Sequence, residues 1–117
     1  MELTESDSQA IRTVIERQIA AFLQDDASLA FSQAAPGIQI QFGTAENFVR
    51  MVEEAYPPVH RPRSVVFESL LTIEGLPAQQ VMLMDRNGNL IRATYTMQRQ
   101  QSGLWKIAGC YLTPMGY

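Results

Sequence analysis

The sequence predicts an α+β domain: three N-terminal helices packed in the concave face of a curved four-stranded antiparallel sheet, a cone-like arrangement. Three observations predict it. Apolar residues recur at helical spacing as far as Ala55, then alternate or run as in strands from Val65 onward. One basic, proline-rich connector, Tyr56-Pro57-Pro58-Val59-His60-Arg61-Pro62-Arg63-Ser64, separates the two regimes. The length of 117 residues is that of a single domain, 1–117, with enough chain for one core.

Ser6-Asp7-Ser8-Gln9 has the S-x-x-Q form of a capping box, with Thr4 as a competing N-cap. Ile11, Val14, Ile15, Ile19, Phe22 and Leu23 then form one helical stripe. Gln18 projects into that stripe. A buried amide needs partners, because leaving it unpaired costs roughly 1–3 kcal/mol. Either it bonds loop backbone, the favoured reading, or it lines a pocket. Asp25-Asp26 ends the first helix and caps a second over Ala27–Ala34, stopped by Pro36-Gly37. Ile38, Ile40 and Phe42 alternate with Gln39 and Gln41 and predict a short extended piece. Thr44 caps a third helix, in which Phe48, Met51, Val52 and Ala55 share a face. That helix ends before Pro57-Pro58.

Four strands follow: Val65–Ile73, Val81–Met84, Leu90–Met97 and Leu104–Thr113. Glu74-Gly75-Leu76-Pro77 stops the first. Asn87-Gly88 reads as a two-residue type I′ hairpin, the strongest short-range hairpin signal. That turn pairs Met84 with Ile91, Met82 with Ala93 and Gln80 with Tyr95. A three-residue Gln101-Ser102-Gly103 turn pairs Met97 with Ile107, Tyr95 with Gly109 and Ala93 with Tyr111. Opposite residues share a face. The core face then carries Met82, Met84, Ile91, Ala93, Tyr95, Met97, Trp105, Ile107 and Tyr111, joined by Val65, Phe67, Ser69, Leu71 and Ile73. Gly109, opposite Tyr95, leaves room for the ring. The other face carries Val66, Glu68, Leu70, Val81, Leu83, Asp85, Arg92, Thr94, Lys106, Cys110 and Leu112. It is half apolar, which predicts a homodimer through the outer sheet face. A one-residue bulge flips part of any such assignment.

Composition removes several classes of function. The chain is 46% hydrophobic and 18% charged, with net charge −3 and nine dispersed basic residues. A nucleic-acid binder usually shows a dense basic patch, so none is expected as a partner. No stretch reaches the ~18 apolar residues of a membrane span. The acidic, polar start Met1-Glu2-Leu3-Thr4-Glu5 does not read as a secretory signal, and a cytoplasmic location is expected. The single cysteine, Cys110, excludes an intramolecular disulfide and reads as a small core residue. One histidine and scattered acids give no metal spacing, and there is no phosphate loop or Ser–His–Asp pattern. Asp85-Arg86-Asn87-Gly88-Asn89 lacks the spacing of a calcium loop. No metal and no cofactor is expected.

The element order resembles the nuclear-transport-factor-two-like (SnoaL-like, cystatin-like) superfamily. More narrowly, the chain resembles a family of uncharacterised bacterial proteins known only as a domain of unknown function. The resemblance rests on Ala34-Ala35-Pro36, Phe42-Gly43-Thr44, Phe48 with Met51-Val52, Tyr56-Pro57-Pro58-Val59 with Arg61-Pro62-Arg63, and Trp105-Lys106-Ile107 with Gly109-Cys110. It implies the α+β cone. Superfamily enzymes such as ketosteroid isomerase and scytalone dehydratase use acidic or histidine bases, with tyrosine or acid partners, inside the cone. Here the predicted inward polar set is Gln18, Ser69, Gln80, Tyr95 and Tyr111, none with an ordinary pKa near neutrality. Glu68 and Asp85 point away.

Two candidate sites remain. The interior residues Gln18, Met82, Met84, Tyr95, Met97, Trp105 and Tyr111 are candidates to line a pocket for a small apolar ligand, because thioethers and aromatic rings adapt to apolar shapes. A filled or nearly filled cone is the favoured reading, because a chain this short has few side chains to spare. His60, Arg61 and Arg63 are candidates to contact an anion or a partner. Arg61 and Arg63 disfavour a protonated His60, and the simpler role for the arginines is to pair with helix-end carbonyls or with Glu53 and Glu54. The function expected is therefore non-enzymatic and dimeric, with a small apolar ligand as the candidate occupant should the cone be open. The alternatives are a small isomerase, dehydratase or hydrolase using His60 or Tyr95, and a protein-interaction module docking through Tyr56–Ser64.

Overall fold

A computed structural model describes residues 2–115. Among them, helices α1 (Glu5–Leu23), α2 (Ala27–Ser32), α3 (Pro36–Phe42), α4 (Ala45–Ala55) and the single turn α5 (Pro57–His60) precede strands β1 (Ser64–Ile73), β2 (Leu76–Met84), β3 (Leu90–Arg99) and β4 (Trp105–Pro114). The strands form one curved, unclosed antiparallel sheet in the order β1-β2-β3-β4. The fold class is the expected α+β one.

Thr4, not Ser6, caps α1. Its hydroxyl accepts from the Asp7 amide and its own amide donates to the Asp7 carboxylate, both at 3.0 Å. The acid three residues into the helix closes the box, and it also meets Arg99 of β3 at 3.5 Å. Ile11, Ile15, Ile19 and Phe22 are buried at helical spacing against the sheet. Full burial of each such side chain stabilises by about 1.5–3 kcal/mol. The helix ends at Gln24 and Asp25, whose φ of 56° an aspartate tolerates.

Three local expectations are overturned. Ile38–Phe42 is helical rather than extended. Pro36 occupies the first turn of α3, where its missing N–H costs nothing, so it starts a helix as well as stopping one. Ile38 and Phe42 then face inward as an i, i+4 pair, while Ile40 is 82% exposed. Asn87-Gly88 is not a two-residue turn. The Asp85 carboxylate accepts from the Asn87 and Asn89 amides at 2.9 and 2.8 Å and builds a five-residue loop, in which only Gly88 has positive φ. The two-residue turn with positive φ at both positions is Glu74-Gly75, and β2 consequently begins at Leu76.

The wider loop shifts register by one. Met84 pairs with Leu90, Met82 with Arg92 and Val81 with Ala93. Val81 and Leu83 therefore point into the core, and Met82 and Met84 turn outward, contrary to expectation. Gln79 replaces Gln80 on the inner face. Two bulges flip further residues. In β4 the register breaks between the Met97–Ile107 and Thr96–Gly109 pairs, leaving Ala108 unpaired. Beyond it Cys110 and Leu112 face inward and Tyr111 outward. In β1 the break between Phe67 and Leu70 turns Leu70 inward and leaves Ser69 and Leu71 exposed. Gly109 lies opposite Thr96 rather than Tyr95, and a Cβ there would sit 3.0 Å from the Thr96 hydroxyl.

The sheet edge at β4 is covered by Gln33–Ala35. The Ile107 amide donates to the Gln33 carbonyl at 2.9 Å, and the Ala35 amide to the Ile107 carbonyl at 2.8 Å. Lys106 reaches over that edge to the Ser32 carbonyl at 2.5 Å. Such cover removes an aggregation-prone edge.

Candidate functional site

Between the helices and the β3–β4 half of the sheet lies a cavity of about 440 Å³. Its walls come from every layer. α1 supplies Gln18 and Phe22, α3 supplies Ile38, Gln41 and Phe42, and α4 supplies Phe48, Met51 and Val52. Tyr56 and Val59 flank the start of α5, Tyr95 comes from β3, and Ile107 to Tyr111 come from β4. The β4 bulge matters here. It bends the strand at Ala108 and turns Cys110 into the cavity, with Tyr111 left at the rim, 57% exposed.

Phe48 is the hub of the aromatic wall, with ring centroids of Phe31, Phe42 and Phe22 at 5.5, 5.9 and 6.1 Å. Gln18 bonds backbone, of helix α2 rather than of a loop, and also borders the cavity. Its amide nitrogen donates to the Ala30 carbonyl at 3.1 Å. Tyr95 is fully buried, and its hydroxyl has no hydrogen-bond partner among the described residues. Burial, with the Cys110 thiol nearby, pushes the Tyr95 pKa well above its ordinary 10. Cys110 is half-buried as a residue, yet its thiol lies deep enough that burial pushes it up to about 12. Both groups are protonated at neutral pH.

Of the residues expected to line a pocket, Gln18, Tyr95 and Tyr111 border this cavity. Met97 and Trp105 are buried in the core away from it, and Met82 and Met84 lie on the opposite sheet face. Sequence reasoning missed the cavity roles of Ile38, Phe42 and Cys110. The signals were present: Pro36 at a helix start, and Gly109 inside a strand pattern, which marks a bulge.

His60 lies elsewhere, on a smaller cavity of about 230 Å³ with Asp25, Asp26 and Glu53. Phe22 borders both cavities, and its ring centroid is 5.8 Å from that of His60. The His60 Nε2 is 3.9 Å from a Glu53 carboxylate oxygen. Burial, then Arg61, lowers the His60 pKa from 6.5, opposed by Glu53 and Asp25. Arg61 donates to the Phe22 carbonyl and to the Asp25 carboxylate, clamping the end of α1 to the connector. Arg63 is exposed, and its backbone amide donates to the Met84 carbonyl at 2.8 Å. Among the described residues no three His, Cys, Asp or Glu side chains are placed to hold a metal ion, and no helix is long and apolar enough to cross a membrane.

Fold and site together define an α+β domain with a largely apolar cavity between its helices and its sheet. The chain belongs to the family described as Domain of unknown function (DUF4864), whose model matches residues 4–116. No curated protein and no solved structure matches it.

Proposed function

We propose that this chain is a small-molecule-binding domain of the nuclear-transport-factor-two-like kind, which holds an apolar ligand in its cone without transforming it. The cavity carries this reading. Protein interiors leave few voids larger than a water molecule, whereas ligand pockets span about 300–1,000 Å³. A volume of about 440 Å³ bordered by phenylalanine, methionine and aliphatic side chains falls in the second range. Protonation favours binding over proton abstraction. General acid–base catalysis favours a group tuned near the working pH, and the tyrosine and thiol in the wall are both driven away from it. His60 borders the other cavity.

Native mass spectrometry tests the reading. The purified wild-type protein is expected to carry a bound small molecule, or to take up an added apolar probe one to one. Met51→Trp, which fills the cavity from α4, abolishes that adduct. A wild-type chain that neither carries a ligand nor takes up a probe removes the proposal.

The outer sheet face supports a second, compatible proposal, a homodimer. It exposes Val66, Leu71, Leu76 and Tyr111. It also carries a Glu68–Arg92 pair at 3.0 Å, offering both signs of charge to a two-fold related copy.

A further inference from the structure

The cavity wall sets a charge rule for its occupant. None of the side chains bordering it is an aspartate, glutamate, lysine, arginine or histidine. Two cations from the segments that build its walls are committed elsewhere. Arg61 donates to the Phe22 carbonyl and the Asp25 carboxylate, and Lys106 to the Ser32 carbonyl. An ionised group carried inward against the buried wall would give up its water and meet no counter-charge, which is strongly unfavourable.

Gln41 and Tyr111 are exposed, Tyr56 is half-buried and the Cys110 thiol is a weak hydrogen-bonding group, so the buried polar capacity of the wall is neutral and rests chiefly on two residues. Gln18 spends its nitrogen on the Ala30 carbonyl, so its remaining capacity is chiefly that of an acceptor. Tyr95 has a buried hydroxyl with no partner among the described residues, a donor in search of an acceptor. A ligand hydroxyl is donor and acceptor at once. Phe22, Phe42, Phe48 and Tyr56 add ring faces and edges suited to a flat apolar body.

We propose that the site selects an uncharged ring compound bearing a neutral hydroxyl, which accepts from Tyr95 and donates to Gln18; this rests on the cavity reading above. Tyr95 borders the cavity but its hydroxyl is buried, so the contact requires a side-chain shift of the sort that accompanies binding with little backbone movement. Met51, unbranched and flexible, gives the wall that adaptability.

Three probes that share one ring system test this: 2-naphthol, 2-methylnaphthalene and 2-naphthoate. Equilibrium dialysis at about pH 7.5 keeps the phenol neutral and the carboxylate ionised. Wild-type protein is expected to bind 2-naphthol and 2-methylnaphthalene, with 2-naphthoate at least about tenfold weaker than 2-naphthol. In Tyr95→Phe the ratio of 2-naphthol to 2-methylnaphthalene affinity falls roughly tenfold, the scale of one hydrogen bond lost from a buried site. Tyr95→Phe removes only a hydroxyl that has no protein partner, and its thermal unfolding confirms that the variant folds. The inference is overturned if 2-naphthoate binds within tenfold of 2-naphthol, or if Tyr95→Phe leaves the ratio unchanged. Either result, with 2-methylnaphthalene still bound, leaves the cavity reading standing. Failure of all three probes to bind the wild type overturns both.

Discussion

Gln79 and Tyr95 face each other on neighbouring strands, both buried, and meet opposite fates. The Gln79 amide fills the β1 bulge, donating to the carbonyls of Glu68, Ser69 and Gln80 at 3.2, 3.4 and 2.9 Å. The sheet thus repairs its own irregularity, while the tyrosine hydroxyl is left for something else. His60 shows a third way to live with burial. Its pKa is lowered, so folding favours the neutral imidazole. The unfolded chain then binds the proton more readily, and the stability held by the neutral ring is lost as pH falls below about 6.5. Glu53 and Asp25 oppose this effect, and Arg61 adds to it. The thermal stability of the wild type is therefore expected to fall from pH 7.5 to 5.5, above the main carboxylate range. His60→Gln, which keeps a polar side chain but cannot titrate, flattens that slope. An equal slope in both proteins removes the histidine from the account.

Element by element, legibility follows the strength of the local signal. α1 and α4 were readable because each carries a long apolar stripe and a threonine cap whose side chain accepts an early amide. The β3–β4 hairpin was readable near its turn, where Met97 pairs with Ile107 as expected. Errors arose where one short pattern fits two structures. Ile38 and Phe42 satisfy both alternation and an i, i+4 helical face, and periodicity over five residues cannot separate them. Asn-Gly fits a two-residue hairpin, but Asp85 offered its carboxylate to two amides and lengthened the loop. α3 is also the least anchored wall of the cavity, with no fully buried residue. Gln39 ties it to the Phe31 and Ala34 carbonyls at 3.1 Å. Amides of Ile38–Phe42 are expected to exchange with deuterium far sooner than those of Tyr95–Met97, because local opening follows low burial. Gly43, with φ of 77°, ends α3, and Gly43→Ala should speed that exchange by straining the terminus. Equal protection in α3 and β3 would show the wall to be as firm as the sheet.

At the scale of the molecule, the cone was legible because the order of periodicities dictates it: helices first, then a meander that must be covered on one face. The content of each face was not, because one loop and two bulges each reverse a strand's parity. The corrected outer face exchanges Leu70, Val81, Leu83, Cys110 and Leu112 for Leu71, Met82, Met84 and Tyr111, and it stays partly apolar. Its size decides how strongly two copies could associate. Four strands about 4.8 Å apart and roughly ten residues long at ~3.3 Å each span some 600 Å². A standard interface buries about 800 Å² of accessible surface per partner, so the homodimer proposed above would use most of this face and is expected to be concentration-dependent. Light scattering after size exclusion should show mass rising from monomer toward dimer as loading moves from micromolar to millimolar. Tyr111→Lys and Leu71→Lys put charge into the apolar part of the outer face and are expected to hold the chain monomeric, while ligand uptake by Leu71→Lys, which does not border the cavity, stays unchanged. A wild-type chain that remains monomeric throughout that range would leave the outer face as a solvated surface and remove the homodimer.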